Sequence, residues 1–271
     1  DGQSSTYIYF EGNIPTPVAA RSLNRELELG ASVMDGVIIN CMGMALENVL
    51  GRPTSAISRN SDDFFPEQEN GFAEHLLQNA FNSTYHDEIY RCDWDMFWTK
   101  HQYAVKHSMI RAISGGPIYF SDKVGATMPD ILVPLVYSDG RILRMNRSAK
   151  PTEDSLFNDP SKEGTLKIHN VGSWGEKYNN KGAIIAAYNL TEKKQSVSFK
   201  VLEIPDIEKA DRYWIYDYLK KRVCSVSSND SFKDEIDVSG YGWYLILPET
   251  QNLTCFGLIN KYVSFKAVEN I

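Results

Sequence analysis

Along the first half of the chain the spacing of apolar residues alternates between two patterns. From Pro17 to about Met34, Ala19, Leu23, Leu27 and Ala31 step by four, which predicts a helix with Pro17 in its first turn. Val37, Ile38 and Ile39 then form a short continuous run of the kind buried on both faces of a parallel sheet, ending at Asn40-Cys41. Met44 to Leu50 reads as a brief helix closed by Gly51, and Ser55 to Arg59 as the next strand. Phe72, Leu76, Leu77, Ala80 and Phe81 give a further helix its apolar face, and Ile89 to Cys92 predicts a strand with Asp93-Trp94-Asp95 at its tip. Val105, Met109, Ala112 and Ile113 mark another helix; after Gly115-Gly116, Pro117 to Phe120 is a strand that ends at Ser121-Asp122. Helix and strand thus alternate from Pro17 to Tyr137, the signature of a parallel α/β architecture. Polar residues collect at the C-terminal strand tips, where barrel enzymes place their active sites.

From about Gly164 the period changes to two. Val197, Phe199 and Val201 alternate with Ser196, Ser198 and Lys200, and Trp243 to Leu247 and Phe256 to Val268 are strand-like, so an antiparallel β-sandwich is predicted. Trp214, Tyr216 and Trp243 fit core or cross-strand pairs better than sugar platforms.

At 271 residues and 42% hydrophobic content the chain buries a substantial core, in one large domain or two. A net charge of −7 with scattered basic residues argues against nucleic acid or an anionic membrane as partner, and no apolar run reaches membrane length. Cys41, Cys92, Cys224 and Cys255 show neither a disulfide framework nor metal spacing, and the five histidines do not converge. No metal and no cofactor is therefore expected. The chain begins at Asp1-Gly2-Gln3 without Met, so the natural N-terminus need not be in view, and a cytoplasmic location is the expectation.

In Ser58-Arg59-Asn60-Ser61-Asp62-Asp63-Phe64-Phe65-Pro66 a strand runs into paired carboxylates, then into two rings and a proline. One carboxyl of such a pair resists ionising beside the other, and burial against Phe64 and Phe65 would raise its pKa further, keeping a proton available for a leaving group. The same residues also suit a solvated helix N-terminus, because Asp caps free amides there. Local sequence leaves both open.

This segment resembles the acid/base segment of glycoside hydrolase family 36, which contains α-galactosidases, raffinose synthases and seed-imbibition proteins. Gly36 to Met42, Asp93 to Phe97, Gly115 to Asp122, and Asp154 to Pro160 followed by Leu166-Lys167-Ile168 resemble the family in the same order. The resemblance implies a (β/α)8 barrel, of which residues 1–163 would be the second half, strands five to eight, with 164–271 as the C-terminal β-sandwich. It also implies that the N-terminal half of the same protein is needed to close the barrel. Asp1-Gly2-Gln3 matches the last three positions of a Lys-x-Asp-x-Gln motif, which makes Asp1 the nucleophile by resemblance, and the distance to Asp62 is 61 positions, or two β/α units. By the same resemblance Asp62 would be the acid, Arg59 resembles the family's active-site arginine, and Asp63 would orient Arg59 or a substrate hydroxyl. Asn40 and Cys41 resemble positions near the sugar 2-hydroxyl. Asp93, Trp94 and Asp95 would shape the site, with Trp94 free either to stack on a sugar or to pack. The implied activity is retaining hydrolysis of α-galactosides by double displacement, with two carboxyls about 5–5.5 Å apart. Galactosyl transfer of the raffinose-synthase type and a non-catalytic carbohydrate-binding role are the alternatives. Hydrolysis is the first expectation, because water needs no dedicated site, and a homo-oligomer stays open.

Overall fold

The computed structural model describes residues 2–174, 180–250 and 253–267. Thr6–Phe10 (α1), Thr16–Val33 (α2) and Leu46–Val49 (α3) precede two parallel strands, Ile57–Arg59 (β1) and Arg91–Asp93 (β2), which are joined through Gly71–His86 (α4). Ala104–Ser114 (α5) follows β2. Asn40 extends the pair through a parallel bridge to Ser58, and Phe97 and Phe120 form another. The expected alternation is present, but Val37–Ile39 and Pro117–Phe120 do not become full strands; Asn40 and Phe120 each keep one bridge. Val37 is 84% exposed and Ile39 42%, so this run lies open rather than covered on both faces. The apolar stripe of α2 also falls short of the expected buried face. That helix turns Ala20, Asn24 and Glu28 inward, and Glu28 accepts four bonds of 2.5 to 2.9 Å from the amides and hydroxyls of Thr54 and Ser55.

The second part is antiparallel, as the period of two predicts, although the described part of the Phe256 to Val268 stretch forms no strand and ends in a 3-10 turn at Ser264–Ala267. Lys150–Pro151 (β3), Leu166–Trp174 (β4), Asn180–Tyr188 (β5), Arg212–Asp217 (β7), Arg222–Ser227 (β8) and Tyr241–Pro248 (β10) form one sheet in the order β3-β4-β5-β10-β7-β8. Gln195–Lys200 (β6) and Ser231–Ile236 (β9) pair as a second layer. Alternate residues serve the two faces. Ile185, Ile215, Tyr244 and Ile246 share a core with Val197, Phe199, Phe232 and Ile236 of the second layer. On the opposite face Ile168, Ile184, Trp243 and Leu245 join Leu76, Trp94, Met109 and Ile113 of the α/β part in one continuous core. The sheet takes in Lys150–Pro151, ahead of the 163/164 boundary expected from the sequence. Trp243 and Tyr216 are buried in this core, which removes them as sugar platforms. Among the described residues no helix is long and apolar enough to cross a membrane.

Two glycines end α5, the second of them against β2. Gly115 ends the helix with φ 71°, and a Cβ on Gly116 would lie 2.0 Å from the Cys92 carbonyl oxygen. Gly116→Ala must therefore push the backbone of β2, and is expected to cost about 3 kcal/mol. A urea midpoint no lower than that of a surface Gly→Ala control would show that the strand yields freely.

Candidate active site

Parallel pairing sets Asn40 beside Ser58 and Arg59 beside Asp93, so the polar residues that follow each strand gather on one rim. Arg59 is the hub. Its Nη2 lies 2.8 Å from Asp95 Oδ1, its Nη1 3.0 Å from Asp63 Oδ1 and its Nε 3.7 Å from Asp93 Oδ2. The Tyr119 hydroxyl donates to Asp93 Oδ2 at 2.8 Å. Asp95 adopts a left-handed φ of 65°, unusual for a residue with a Cβ. The turn is held by its own carboxylate, which accepts from the Phe64 amide (2.7 Å) and the Met96 amide (2.7 Å), and by Asp93 Oδ1, which accepts from the Asp95 amide (2.9 Å).

One guanidinium thus faces three carboxylates, two of them buried. Burial pushes the Asp93 carboxyl up, against the Tyr119 hydroxyl and the Arg59 charge, which pull it down. Burial works against the Arg59 charge, yet Asp95, with Tyr119, Cys41 and Asp93 behind it, holds the guanidinium above the ordinary arginine value. Burial and the neighbouring Asp93 push the Tyr119 phenol up, so it stays a donor at neutral pH.

The structure sorts the residues singled out by sequence. Arg59, Asp63, Asp93 and Asp95 come together. Asp93 and Asp95 are closed off from solvent and act on Arg59 rather than on a ligand. Asp62 is exposed; its amide donates to Gln78 Oε1 and its Oδ1 accepts from the Asp63 amide. The expected burial of the pair against two rings is not found: Phe65 is exposed, and the Phe64 ring turns inward onto His107. Trp94 is fully buried with its indole donating to Ser83 Oγ, so it packs and offers no face to a sugar. Asn40 is buried and its amide is spent within the protein, accepting from Gln3 Nε2 and donating to Ser55 Oγ and the Ile57 carbonyl. It braces the rim instead of meeting a 2-hydroxyl. Cys41 is half-buried with a free thiol beside Arg59. Asp1, assigned as nucleophile by resemblance, lies outside the described residues. Gln3, two positions on, is fixed on Asn40, with the Ser4 amide on the Met42 carbonyl.

Sequence reasoning missed Tyr119 and Arg111. Tyr119 sits inside a predicted strand, and Arg111 on an apolar helix; neither carries a local signal of the partner it reaches. A cleft of about 550 Å³ lined by Asp87, Glu88, Arg147, Lys150 and His169 contains none of the rim residues.

The family described as raffinose synthase or seed imbibition protein Sip1 matches residues 22–204. A probable galactinol–sucrose galactosyltransferase of Arabidopsis thaliana is 38% identical over 165 residues, covering 59% of this chain and 22% of the relative. A galactinol–sucrose galactosyltransferase of Pisum sativum is 29% identical over 257 residues, covering 82% of this chain and 32% of the relative. The chain spans no more than about a third of the length of either. Among solved structures, the α-galactosidase of Saccharomyces cerevisiae with raffinose aligns with a TM-score of 0.60 at 11% identity, covering 88% of this chain and 70% of that one. The α-galactosidase I of Mortierella vinacea gives 0.58 at 12% identity, covering 88% and 66%. At these identities the likeness is one of fold, a mixed α/β part joined to a β-rich part. The family match, which takes in β1, β2 and the whole Arg59 cluster, assigns the chain: it belongs to the raffinose synthase and seed imbibition protein family.

Proposed function

We propose that this chain is the C-terminal half of the catalytic (β/α)8 barrel, strands five to eight, with the following β-sandwich, of a retaining enzyme that acts on α-galactosides. The observation that carries the proposal is the Arg59 cluster at the C-terminal ends of parallel segments, with the paired Asp62 and Asp63 above it. Open apolar surface supports the half-barrel part: Val37 and Ile39 on one side, Phe120 (42% exposed) and Val124 (99%) on the other. Unpaired edges of this kind pair with further chain, here the N-terminal half of the same protein. Resemblance of Asp1-Gly2-Gln3 to the family's Lys-x-Asp-x-Gln motif supports Asp1 as the nucleophile, with the Asp62–Asp63 pair as the acid/base. The register of the motif points to Asp62; the contact in favour of Asp63 is its place on Arg59, 3.0 Å from Nη1, since the resemblance puts that arginine in the active site.

The names of the relatives favour galactosyl transfer over hydrolysis, since both belong to galactosyltransferases. Either outcome passes through one galactosyl-enzyme intermediate. In the full-length protein, cleavage of an aryl α-galactoside is expected to release the α-anomer first, read by proton NMR. A first-formed β-anomer would refute retention. With galactinol as donor, a trisaccharide appearing only when sucrose is added would establish transfer, and galactose release unchanged by sucrose would establish hydrolysis.

A further inference from the structure

Arg111 lies in the middle of α5, fully buried; two of its hydrogen bonds reach the back of the rim and the others stay on His107 of the same helix. Nε donates to the Asp95 carbonyl (3.1 Å), Nη2 to the Met96 carbonyl (2.5 Å) and Nη1 to His107 Nδ1 (3.0 Å). The rings of Phe64 and Phe97 lie 5.9 and 5.6 Å from the guanidinium carbon. A buried charge is costly unless specific bonds satisfy it. Two of those bonds land on the carbonyls of a turn whose first residue, Asp95, has positive φ, a conformation that persists only where the surroundings over-determine it. The Asp95 carboxylate in turn takes the Phe64 amide, and the Phe64 ring rests on Arg111 and on His107, 4.9 Å between ring centroids. Phe64 is thus fixed at amide and ring, directly after Asp63.

We propose that Arg111 is a positioning residue: through the Asp95–Met96 turn and the Phe64 ring it sets where the Asp62–Asp63 pair stands over Arg59. This rests on the proposed reading of the pair as acid/base. Arg111 touches no substrate. It acts through Asp95 and Phe64, and without it the turn relaxes, Phe64 is released and Asp63 drifts from the guanidinium.

Arg111→Lys is the discriminating variant, because an ammonium keeps the charge but cannot reach both carbonyls as the planar fork does. In the full-length protein kcat is expected to fall on the order of 100-fold with KM nearly constant, more for poor leaving groups than for good ones. Amide exchange in peptides covering 62–66 and 94–97 is expected to speed up about tenfold while peptides of the β-sandwich keep their protection. Phe64→Leu, which keeps the amide bond and removes the ring, should change the same observables in the same direction by less. Unchanged exchange at 62–66 in Arg111→Lys, or exchange that rises equally across the whole protein, would overturn the proposal. If the full-length protein cleaves no α-galactoside, the proposed function fails, but the exchange comparison still decides whether Arg111 holds the loop.

Discussion

Asp63→Ala in the full-length protein is expected to slow cleavage of α-galactosides with alcohol leaving groups by about 10²–10⁴-fold, the usual contribution of a general acid. Activated phenols leave without a proton, so their galactosides should lose far less in the step that forms the intermediate. Azide should then restore turnover, since a small anion fits the vacated space and captures the galactosyl-enzyme without a base. Asp62→Ala should slow good and poor leaving groups about equally and gain nothing from azide, because the Asp62 carboxylate caps the Asp63 amide and contacts Arg59 only through that neighbour. The motif's register gave the role to Asp62. Leaving-group dependence and azide rescue at Asp62 would show that the register decides and that the Arg59–Asp63 contact is an orienting pair.

What the sequence made legible was local. The apolar spacing of α4 and the alternation of β6 follow from the backbone's own periods, so both elements stand where they were expected. The Arg59–Asp63 pair is four residues apart and visible in a line of text. Val37–Ile39 has the composition of a central strand, but pairing needs a neighbour, and only the bridge between Asn40 and Ser58 is made. Resemblance put Asn40 near a sugar hydroxyl and left Trp94 free to stack or to pack; Gln3 and Ser83, which occupy their polar groups, lie outside the motifs that carried those readings. Arg111 was hidden for the opposite reason: a basic residue one place from Ile110 and Ala112 reads as the solvated edge of a helix, and only the crossing of α5 behind β2 turns it inward.

Removing the hub should have the largest effect on stability. Arg59 is 10% exposed, Asp95 2% and Asp93 0%, whereas Asp63 is 65% exposed. The Arg59–Asp63 pair, largely in water, contributes about 0–1 kcal/mol. The buried pairs decide the outcome. Arg59→Met leaves two carboxylates without their cation, and stripping one partner from a buried pair costs about 3–5 kcal/mol. The sign of its pH dependence follows from Asp93, whose folded pKa is already above the unfolded value through burial, with Arg59 among the groups pulling it down. Without Arg59 that folded pKa rises further. A carboxyl raised in the folded state has its full stability below the unfolded pKa and loses it as pH rises through the folded one. The deficit of Arg59→Met against the parent should therefore be smaller near about pH 5 than near about pH 8, read as the difference in Tm of the full-length proteins. Arg59→Lys, keeping a charge but not the three-way fork, should recover part of the alkaline deficit. Equal deficits at both pH values would mean that Arg59 stabilises the rim by packing alone, and that its charge is not what keeps Asp93 ionised.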